Sequence, residues 1–416
     1  MSSSFPNPAM KRLTCRAGVG AALLSGAALA ATSVHAAQVY VQPIVSTQAQ
    51  THSNLGLDPD GETISAEGFF ADAAAVIGIA TPSSDTTIKP RLLYRKYPDV
   101  PRLDRLEGML DFATLYRGQR GSFSMFGRME HRDEVNAERS DAQFDEVTPD
   151  SPTGPETGRI TIGATRDVLM LVPTYKYELT QRTDIGVTAT VQAVDYSPDD
   201  STSHVDFDYY EGKGFVGWEL SQRTKLSLGG FVSKYEATNI DALVDSYGAS
   251  AEFGWDWSAL LKSSLALVYQ RSDIERTAPV VFADTANAWG ADFKTAYVGQ
   301  ISRARLNIGR TITPSGAGGL LESDNVRLQF ERDLTARLEL TAAGRYLRHR
   351  ALADDTAGND RDYRRVELGL RWMVTRTWFV EGGYDYTWQK YERGAGSADD
   401  NSFTLTFGYI GLPRQR

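Results

Sequence analysis

Residues 366–372 read VELGLRW, residues 378–388 read WFVEGGYDYTW, and residues 403–409 read FTLTFGY. In each stretch, large apolar or aromatic side chains mostly alternate with charged residues, glycines or threonines. A period of two is typical of a β-strand whose two faces meet different surroundings. The bulky face is wide and aromatic, whereas the other face carries charges and glycines that would make a poor protein core. The pattern predicts strands of a transmembrane β-barrel with a water-filled interior.

The composition excludes several classes of protein. Of the 416 residues, 41% are hydrophobic. No run of about 20 apolar residues occurs beyond the extreme N-terminus, so helical membrane spans are excluded. The 37 glycines, 19 tyrosines and 7 tryptophans favour β-structure with turns and interfacial aromatic residues. The formal net charge of −9 argues against a nucleic-acid partner.

The N-terminus predicts export. Lys11 and Arg12 precede the apolar run 17–31 and a small-residue cleavage signal that ends at Ala36. This order is typical of a secretory signal peptide. We therefore predict two segments, the signal peptide at 1–36 and a single barrel domain at 37–416. Because Met10 stands directly before the two basic residues, we expect translation to begin there rather than at Met1.

Cleavage would change both the cysteine content and the charge. The only cysteine, Cys15, lies inside the predicted signal peptide. The exported chain would therefore have no disulfide, no thiolate metal site and no cysteine nucleophile. Removing residues 1–36 removes three basic residues and no acidic one, which leaves 41 basic against 53 acidic residues and a net charge of −12.

Eighteen stretches of alternating residues follow along the exported chain, with 16 as the alternative count. Short connections such as 180–182 and 375–376 alternate with long acidic ones such as 197–206 and 351–362. This alternation is typical of an outer-membrane barrel, with the short turns in the periplasm. We therefore predict an all-β, antiparallel up-and-down transmembrane barrel whose longest loop runs from Asp133 to Thr165.

The charged residues of these strands predict which face lines the lumen. A charge on the lipid face costs roughly 2–4 kcal/mol at the bilayer midplane, so the charged parity must point inward. The residues predicted to line the lumen are Arg91, Arg95, Asp111, Arg128, Glu130, Arg132, Lys176, Glu252, Asp256, Asp292, Lys294, Arg327, Arg345, Glu367, Arg371, Glu381 and Asp385. They allow two compatible interpretations: a charged, water-filled eyelet, or a ladder of neutralising pairs that stabilises the wall.

The hairpin around Thr375 can adopt one of two registers that keep both charged faces inward. One sets Arg365 opposite Asp385. The other sets Arg371 opposite Glu381 and also sets Glu367 opposite Asp385. Because like charges directly opposite each other are unfavourable, we predict the first register.

Few residues of the sequence indicate an enzyme or a metal site. The histidines of the exported chain fall in loops or near strand ends, without metal-ligand spacing: His52, His131, His204 and His349. Only His131 has the outward parity that an outer-face barrel lipase would need. We therefore predict no enzymatic activity, no cofactor and no metal.

Three stretches resemble the beta-barrel porin 2 family of Gram-negative outer membranes. They are 338–346 (LELTAAGRY), 363–372 (YRRVELGLRW) and 378–386 (WFVEGGYDY), and the resemblance continues into 401–409. This resemblance implies an outer-membrane barrel that carries an exported exopolysaccharide beside a periplasmic polysaccharide-export protein.

The C-terminus departs from the pattern of many such barrels. Many such barrels end on an aromatic residue that the insertion machinery reads, whereas here 411–416 trail beyond Tyr409.

The leading hypothesis is therefore an outer-membrane conduit for an exported polysaccharide. One alternative is a general solute-diffusion porin, and another is a structural or adhesive barrel whose lumen is closed by loops that fold inward. The expected partners are outer-membrane lipid, lipopolysaccharide and the barrel-insertion machinery. The acidic outer loops are either simply solvated or hold divalent cations near lipopolysaccharide. The pattern leaves open whether the loop from Asp133 to Thr165 enters the lumen.

Overall fold

The computed structural model describes residues 37–57, 63–139, 163–197, 204–237, 240–277, 281–352, 360–392 and 396–415. The predicted signal peptide, its cleavage site and the predicted start at Met10 lie outside the described residues. So does most of the predicted longest loop, at 140–162.

Eighteen strands make up the wall. They are β1 (Gln38–His52), β2 (Ala66–Ala80), β3 (Ser84–Lys96), β4 (Arg105–Arg117), β5 (Gly121–Asp133), β6 (Thr165–Thr180), β7 (Thr183–Tyr196), β8 (Phe207–Ser221), β9 (Thr224–Ala237), β10 (Ala242–Asp256), β11 (Leu261–Arg276), β12 (Phe282–Val298), β13 (Ser302–Ser315), β14 (Gly319–Thr335), β15 (Leu338–Ala351), β16 (Arg361–Met373), β17 (Trp378–Tyr391) and β18 (Ser397–Ile410). A two-residue strand, β19 (Arg414–Gln415), pairs with the start of β1. A 3-10 turn (Pro101–Leu103) precedes β4, and helix α1 (Glu134–Glu138) follows β5. None of the helices in the described ranges is long and apolar enough to span a membrane.

The sheet closes on itself. Strand β1 pairs with β2 on one side and with β18 on the other, and every pair of neighbours is antiparallel. Thr47, for example, lies opposite Ala71 in the first hairpin and opposite Phe407 in the closing pair. The prediction of an all-β up-and-down barrel with 18 strands is confirmed, and the alternative count of 16 is wrong. Closure pairs both edges of the sheet, as lipid surroundings require.

The two ends of the barrel differ in their connections. The end at which β1 begins carries short turns, including 81–83, 181–182 and 222–223. The opposite end carries longer connections, including 53–65 and 134–164. We call these the short-turn end and the long-loop end.

The outer face carries the large apolar side chains. Leu92, Phe403 and Leu405 are 59–60% exposed, and many other leucines, valines and aromatic residues of the same parity are also exposed. On β14 the outward run between Asp324 and Arg332 spans eight residues, or roughly 26 Å of strand before tilt. Contiguous apolar surface of this extent is unfavourable in water, so the exterior requires lipid around it.

Several strands run further towards the long-loop end than their sequence patterns predict. Strand β12 begins at Phe282 and β14 begins at Gly319, seven and six residues before their predicted starts. The outer face of these extensions is mostly small or polar, so apolar alternation does not reveal them. Backbone pairing with β11 and β13 nevertheless continues. The predicted loops 272–288 and 314–324 are therefore largely strand.

The β16–β17 hairpin adopts the register that the like-charge argument rejects. Arg371 lies opposite Glu381, and Glu367 lies opposite Asp385, so the predicted register, with Arg365 opposite Asp385, is wrong. A third residue offsets the like-charge pair. Arg365 Nε lies 2.7 Å from Glu367 Oε1, and its Nη2 lies 3.3 Å from Asp385 Oδ1. One diagonal guanidinium thus neutralises both carboxylates, which a count of directly opposed pairs misses.

The observed register predicts which engineered disulfides form in this hairpin. Opposed residues have Cα atoms about 4.5–5.5 Å apart, a separation that a disulfide can span. Glu367→Cys combined with Asp385→Cys should therefore crosslink on oxidation of the folded barrel. Arg365→Cys combined with Asp385→Cys is offset by two residues and should crosslink poorly. Gel mobility measures both yields, and a higher yield for the 365–385 pair would contradict the register.

Candidate functional site in the barrel interior

Helix α1 lies inside the barrel at the long-loop end. It begins directly after β5, where the Asp133 carboxylate accepts a hydrogen bond of 3.0 Å from the Val135 N–H and caps the helix. Side chains at its end then contact residues 223 and 261 positions away in sequence, on β16 and β18. A segment that starts on β5 and touches β16 and β18 must cross the lumen.

Arg139 and Asp400 form the first anchor of this crossing. Arg139 Nη2 lies 2.6 Å from Asp400 Oδ2, and both side chains are buried. His52 Nδ1 lies 2.7 Å from the same oxygen, and the Asn54 N–H donates to the other carboxylate oxygen at 2.7 Å. Arg139 Nη1 also donates to the Leu55 carbonyl at 3.0 Å. The residue after α1 is thereby tied to β18 and to the end of β1.

Glu138 and Arg361 form the second anchor. Arg361 Nη1 lies 3.2 Å from Glu138 Oε2. Arg166 Nη1 lies 3.9 Å from Glu138 Oε1, while its Nη2 donates to Glu130 Oε1 at 2.9 Å. All four side chains are buried. Two carboxylates and two guanidiniums alternate here, so each buried charge has an opposite charge beside it.

Two further contacts hold the start of α1. Glu134 Oε1 contacts His204 Nε2, and the ring of His204 packs edge-on against the Tyr196 ring at 5.0 Å. Asn136 Nδ2 donates to Glu107 Oε1 at 3.0 Å. Burial raises the pKa of Glu134 from 4.5 to about 6, and its hydrogen bond with His204 opposes that rise.

The tip of the β13–β14 hairpin forms a second crossing. The Tyr235 hydroxyl donates to the Ser315 carbonyl at 2.9 Å, and the Val205 N–H donates to the Gly316 carbonyl at 2.8 Å. Strands β9 and β13 are not neighbours in the sheet, so the tip bends across the interior. Gly316 packs so closely on a tyrosine ring that a Cβ there would overlap it. The tip turns at Gly318 with φ +97°, a left-handed conformation that favours glycine.

Apolar side chains surround both crossings. The cluster around the hairpin tip contains Val168, Val194, Tyr196, Val205, Phe207, Tyr235, Val244 and Leu320. The cluster beside α1 contains Leu55, Phe70, Leu93, Tyr97, Leu103 and Val135. Such inward apolar packing departs from the polar interior of an open channel. In the described part of the chain, α1 and the hairpin tip thus narrow the lumen at the long-loop end.

Register and burial place the predicted lumen residues on the face opposite to the exposed apolar side chains. Most of them form ion pairs: Arg91 with Asp72, Arg95 and Arg132 with Glu107, Asp111 with Arg128, Glu130 with Arg166, Asp256 with Lys262, Asp292 with Lys294, Glu367 and Asp385 with Arg365, and Arg371 with Glu381. Lys176 lies 5.6 Å from the Phe215 ring centre, and Glu252 lies opposite Ala266. Most of these residues therefore fit the interpretation as a ladder of neutralising ion pairs along the wall. Their role in transport stays a prediction.

Three arginines lie close together in register on the inner wall of β13–β15. Arg327 lies directly opposite Arg345, and on its other side it faces Asn307, two residues from Arg305. Arg345 Nε donates to Asn325 Oδ1 at 3.2 Å. Arg345 also lies opposite Arg365 on β16, where the neighbouring inward pair is Ala343 with Glu367. We call Arg305, Arg327 and Arg345 the cationic patch, because three guanidinium groups are concentrated on this part of the inner wall.

Sequence reasoning missed the residues that hold α1. Arg166, Arg361 and Asp400 all have inward parity, but each lies two residues before the predicted start of its strand. If each predicted strand began one inward position earlier, the three strands would include all three residues. For α1 itself, the available signal was Asp133 as a helix cap followed by Glu134 in the first turn.

His131 lies on the outer face, as its parity indicates. Its Nδ1 lies 2.6 Å from Asp167 Oδ1 in an exposed pair. Its opposite neighbours in the ladder are Gly108 and Asp167, and neither offers the nucleophile that a lipase needs. Over the residues that the structure describes, no group of three or more His, Cys, Asp or Glu side chains could hold a metal ion.

Comparisons with known proteins show similarity in fold at very low sequence identity. No family model and no curated protein matches the chain. One similar structure is Acinetobacter baumannii OccAB1, with a TM-score of 0.45, 9% identity, and coverage of 91% of this chain and 96% of that chain. Another is Pseudomonas aeruginosa OccK2 (OpdF) in complex with glucuronate, with a TM-score of 0.43, 11% identity, and coverage of 90% and 98%. A third is the outer membrane protein opdK of Pseudomonas aeruginosa, with a TM-score of 0.41, 8% identity, and coverage of 90% and 99%. At these values the similarity transfers no function, and membership of the beta-barrel porin 2 family stays a prediction.

Removing the charge of Asp400 should loosen the first anchor. Asp400→Asn leaves the Arg139 guanidinium buried without an opposite charge, and losing one partner of a buried pair costs about 3–5 kcal/mol. The matched control is Asp399→Asn, one residue away on the exposed outer face, which should change the free energy of unfolding by about 0.5 kcal/mol at most. Tryptic cleavage after Arg139 should also accelerate in Asp400→Asn alone. Equal stability and equal cleavage in the two variants would contradict the anchor.

Docking of α1 should depend on pH through Glu134. Its pKa is raised in the folded state, so the folded protein takes up this proton more readily than the unfolded chain does. The contribution of this proton uptake to the free energy of unfolding is fully favourable below about pH 4.5. It is lost as the pH rises through about 6, and its maximum is about 2 kcal/mol. The unfolding free energies of wild type and Glu134→Gln, measured from pH 4.5 to 7.5, should therefore diverge as the pH rises. A difference that is constant over this range would contradict the prediction.

Proposed function

We propose that the protein is an outer-membrane diffusion conduit for small polar solutes, with a preference for anions. The observation that carries this proposal is the division of the closed wall into an apolar exterior and a charged interior. A soluble barrel buries its apolar face inside, whereas this barrel exposes that face and encloses its ion pairs. Such an arrangement suits a lipid surrounding and a hydrated path through the centre.

The predicted location in the outer membrane is supported by the asymmetry of the barrel. The first strand begins and the last strand ends at the short-turn end, as in barrels whose turns face the periplasm. The apolar run on β14 is roughly 26 Å along the strand and roughly 20 Å along the barrel axis after the usual tilt, which is close to the ~25 Å apolar band of such barrels. The signal peptide predicted for residues 1–36 would provide the export step.

The preference for anions is inferred from the cationic patch. Arg327 and Arg345 are directly opposed, and Arg365 lies opposite Arg345 on the next strand. Guanidinium groups bind carboxylate and phosphate through paired, charge-assisted hydrogen bonds. An anion that passes this concentration of guanidinium groups should therefore have a lower local free energy than a cation.

Passage of a polysaccharide, which the family resemblance implies, has less support than passage of small solutes. A polymer would occupy the lumen along its whole length. Both α1 and the hairpin tip would then have to leave, which would break the Arg139–Asp400 and Glu138–Arg361 anchors. A small solute needs only the space beside these crossings.

A structural barrel with a closed lumen is the second candidate function. The two crossings at the long-loop end favour it specifically, because both are fixed by hydrogen bonds and by apolar packing. This candidate and the conduit share every feature of the wall, and they differ in one measurable property, the current through the barrel.

Recordings in planar lipid bilayers test the proposed conduit. We expect the purified exported chain to give stepwise conductance with greater permeability to chloride than to potassium. Arg345→Gln should lower the chloride-to-potassium permeability ratio by roughly twofold or more, since charged side chains at the pore wall set ion preference. Arg371→Gln is the matched control, because it removes the same charge from an inward arginine that lies outside the cationic patch.

The outcomes separate the candidates. Absence of conductance from inserted, folded barrels would reject the conduit and favour the structural barrel. Conductance without a preference for chloride, or an equal loss of preference in the two variants, would reject the role of the cationic patch.

A further inference from the structure

Outward-facing charges form a regular row across five strands near the long-loop end. Arg310 on β13 lies opposite Asp324, and Arg348, Asp362 and Lys390 follow in register on β15, β16 and β17. The signs alternate along this charged row. Arg310 Nε lies 2.6 Å from Asp324 Oδ1, and Arg348 Nε lies 3.5 Å from Asp362 Oδ1. Because outward charge is costly in hydrocarbon, the row marks the level at which the wall leaves the apolar layer.

Arg364 lies two residues from the row, towards the apolar band. Its guanidinium carbon lies 4.7 Å from the Trp388 ring centre and 5.8 Å from the Tyr346 ring centre, and the side chain is exposed. These two aromatic residues are also its direct neighbours in the ladder, so no acid stands opposite it. Cation–π contacts hold the guanidinium at the interface and leave its N–H edge available to an anion.

An apolar groove of about 700 Å³ lies on the same outer wall, further into the apolar band. Its base is Gly382, where an added Cβ would meet nothing within 4 Å. Its sides include Leu368, Leu370, Tyr384, Phe403 and Leu405. Leu368 lies four residues from Arg364 along β16, or roughly 13 Å at the rise of a strand. This separation suits an acyl chain whose headgroup lies at the guanidinium.

The outward charges near the long-loop end differ between two sides of the barrel. Strands β15–β18 and the residue that follows β17 carry four bases and three acids: Arg348, Arg350, Asp362, Arg364, Lys390, Glu392 and Asp399. Strands β7–β11 carry two bases and six acids: Asp195, Asp208, Lys234, Glu236, Asp245, Arg271, Asp273 and Glu275. The charge balance therefore favours an anionic headgroup on the first side over the second.

We propose that the outer wall at β15–β18 docks one phosphorylated glycolipid of the surrounding membrane leaflet, with its phosphate at Arg364 and one acyl chain in the groove. The proposal rests on the proposed location in the outer membrane. Three separate features coincide on this side: an excess of basic residues, a guanidinium fixed by two rings, and a groove at acyl-chain distance. The phosphate accepts charge-assisted hydrogen bonds, and the acyl chain covers apolar surface that Gly382 leaves open.

Binding of diphosphoryl lipid A to the detergent-solubilised full barrel tests the docking site. Native mass spectrometry of the wild type should detect one retained lipid, and removing both phosphates from the lipid should weaken binding about tenfold, as expected for a lost hydrogen bond to a charged group. Arg364→Gln should weaken binding of the phosphorylated lipid to a similar extent. Gly382→Leu should weaken binding of both lipids, because its side chain has room to fill the groove.

Arg271→Gln is the matched control, since Arg271 is an exposed outward arginine on the acidic side of the barrel. It should leave lipid binding unchanged. Equal binding of phosphorylated and dephosphorylated lipid to the wild type would overturn the proposal without need of any variant. So would equal effects of Arg364→Gln and Arg271→Gln.

Bilayer conductance of the same preparations separates this proposal from the proposed function. Loss of specific lipid binding with normal conductance would reject the docking site and leave the conduit in place. Specific lipid binding by a barrel that carries no current would reject the conduit and support the docking site.

Discussion

Side-chain alternation within a closed ladder is the constraint on which the rest of the structure depends. Each of the eighteen strands pairs with two neighbours, so the ladder has no edge to present to lipid. Since the side-chain period is two, parity decides whether a residue meets lipid or lumen. A slip of one residue between β16 and β17 would turn either Arg371 or Glu381 towards the hydrocarbon, which makes such a slip very unfavourable.

Inside the wall, ion pairs specify position more than they add stability. Desolvation offsets much of the attraction in a buried pair, whereas a charge left without its partner is strongly destabilising. Helix α1 therefore has one favourable position, in which Glu138 meets Arg361 and Arg139 meets Asp400. These partners belong to β16 and β18, whereas α1 follows β5. These contacts of α1 can consequently form only when β16 and β18 are in place.

The sequence predicts the wall better than it predicts the interior. Alternating residues identify all eighteen strands and their order, because lipid on one side and charge on the other impose the same rule along the whole chain. Where strands leave the apolar layer, their outward residues need not be apolar, so the alternation no longer marks them. The pattern therefore predicts the starts of β12 and β14 several residues too late. The predicted hairpin register is wrong because Arg365 contacts Glu367 along its own strand and Asp385 diagonally, and neither contact is a directly opposed pair. The contacts of α1 and of the β13–β14 tip join residues distant in sequence, and no local pattern encodes them.

The dependence of folding on lipid is the most direct measure of the central claim that the apolar side chains face outward. Residues 37–416, the chain that the predicted cleavage would leave, can be refolded from denaturant into plain buffer and into lipid vesicles. Far-ultraviolet circular dichroism, protease resistance and sedimentation then report its state. We predict a protease-resistant β-barrel in vesicles and an unfolded or aggregated chain in plain buffer. A folded, monodisperse protein in buffer without lipid or detergent would contradict the assignment of the two faces of the barrel.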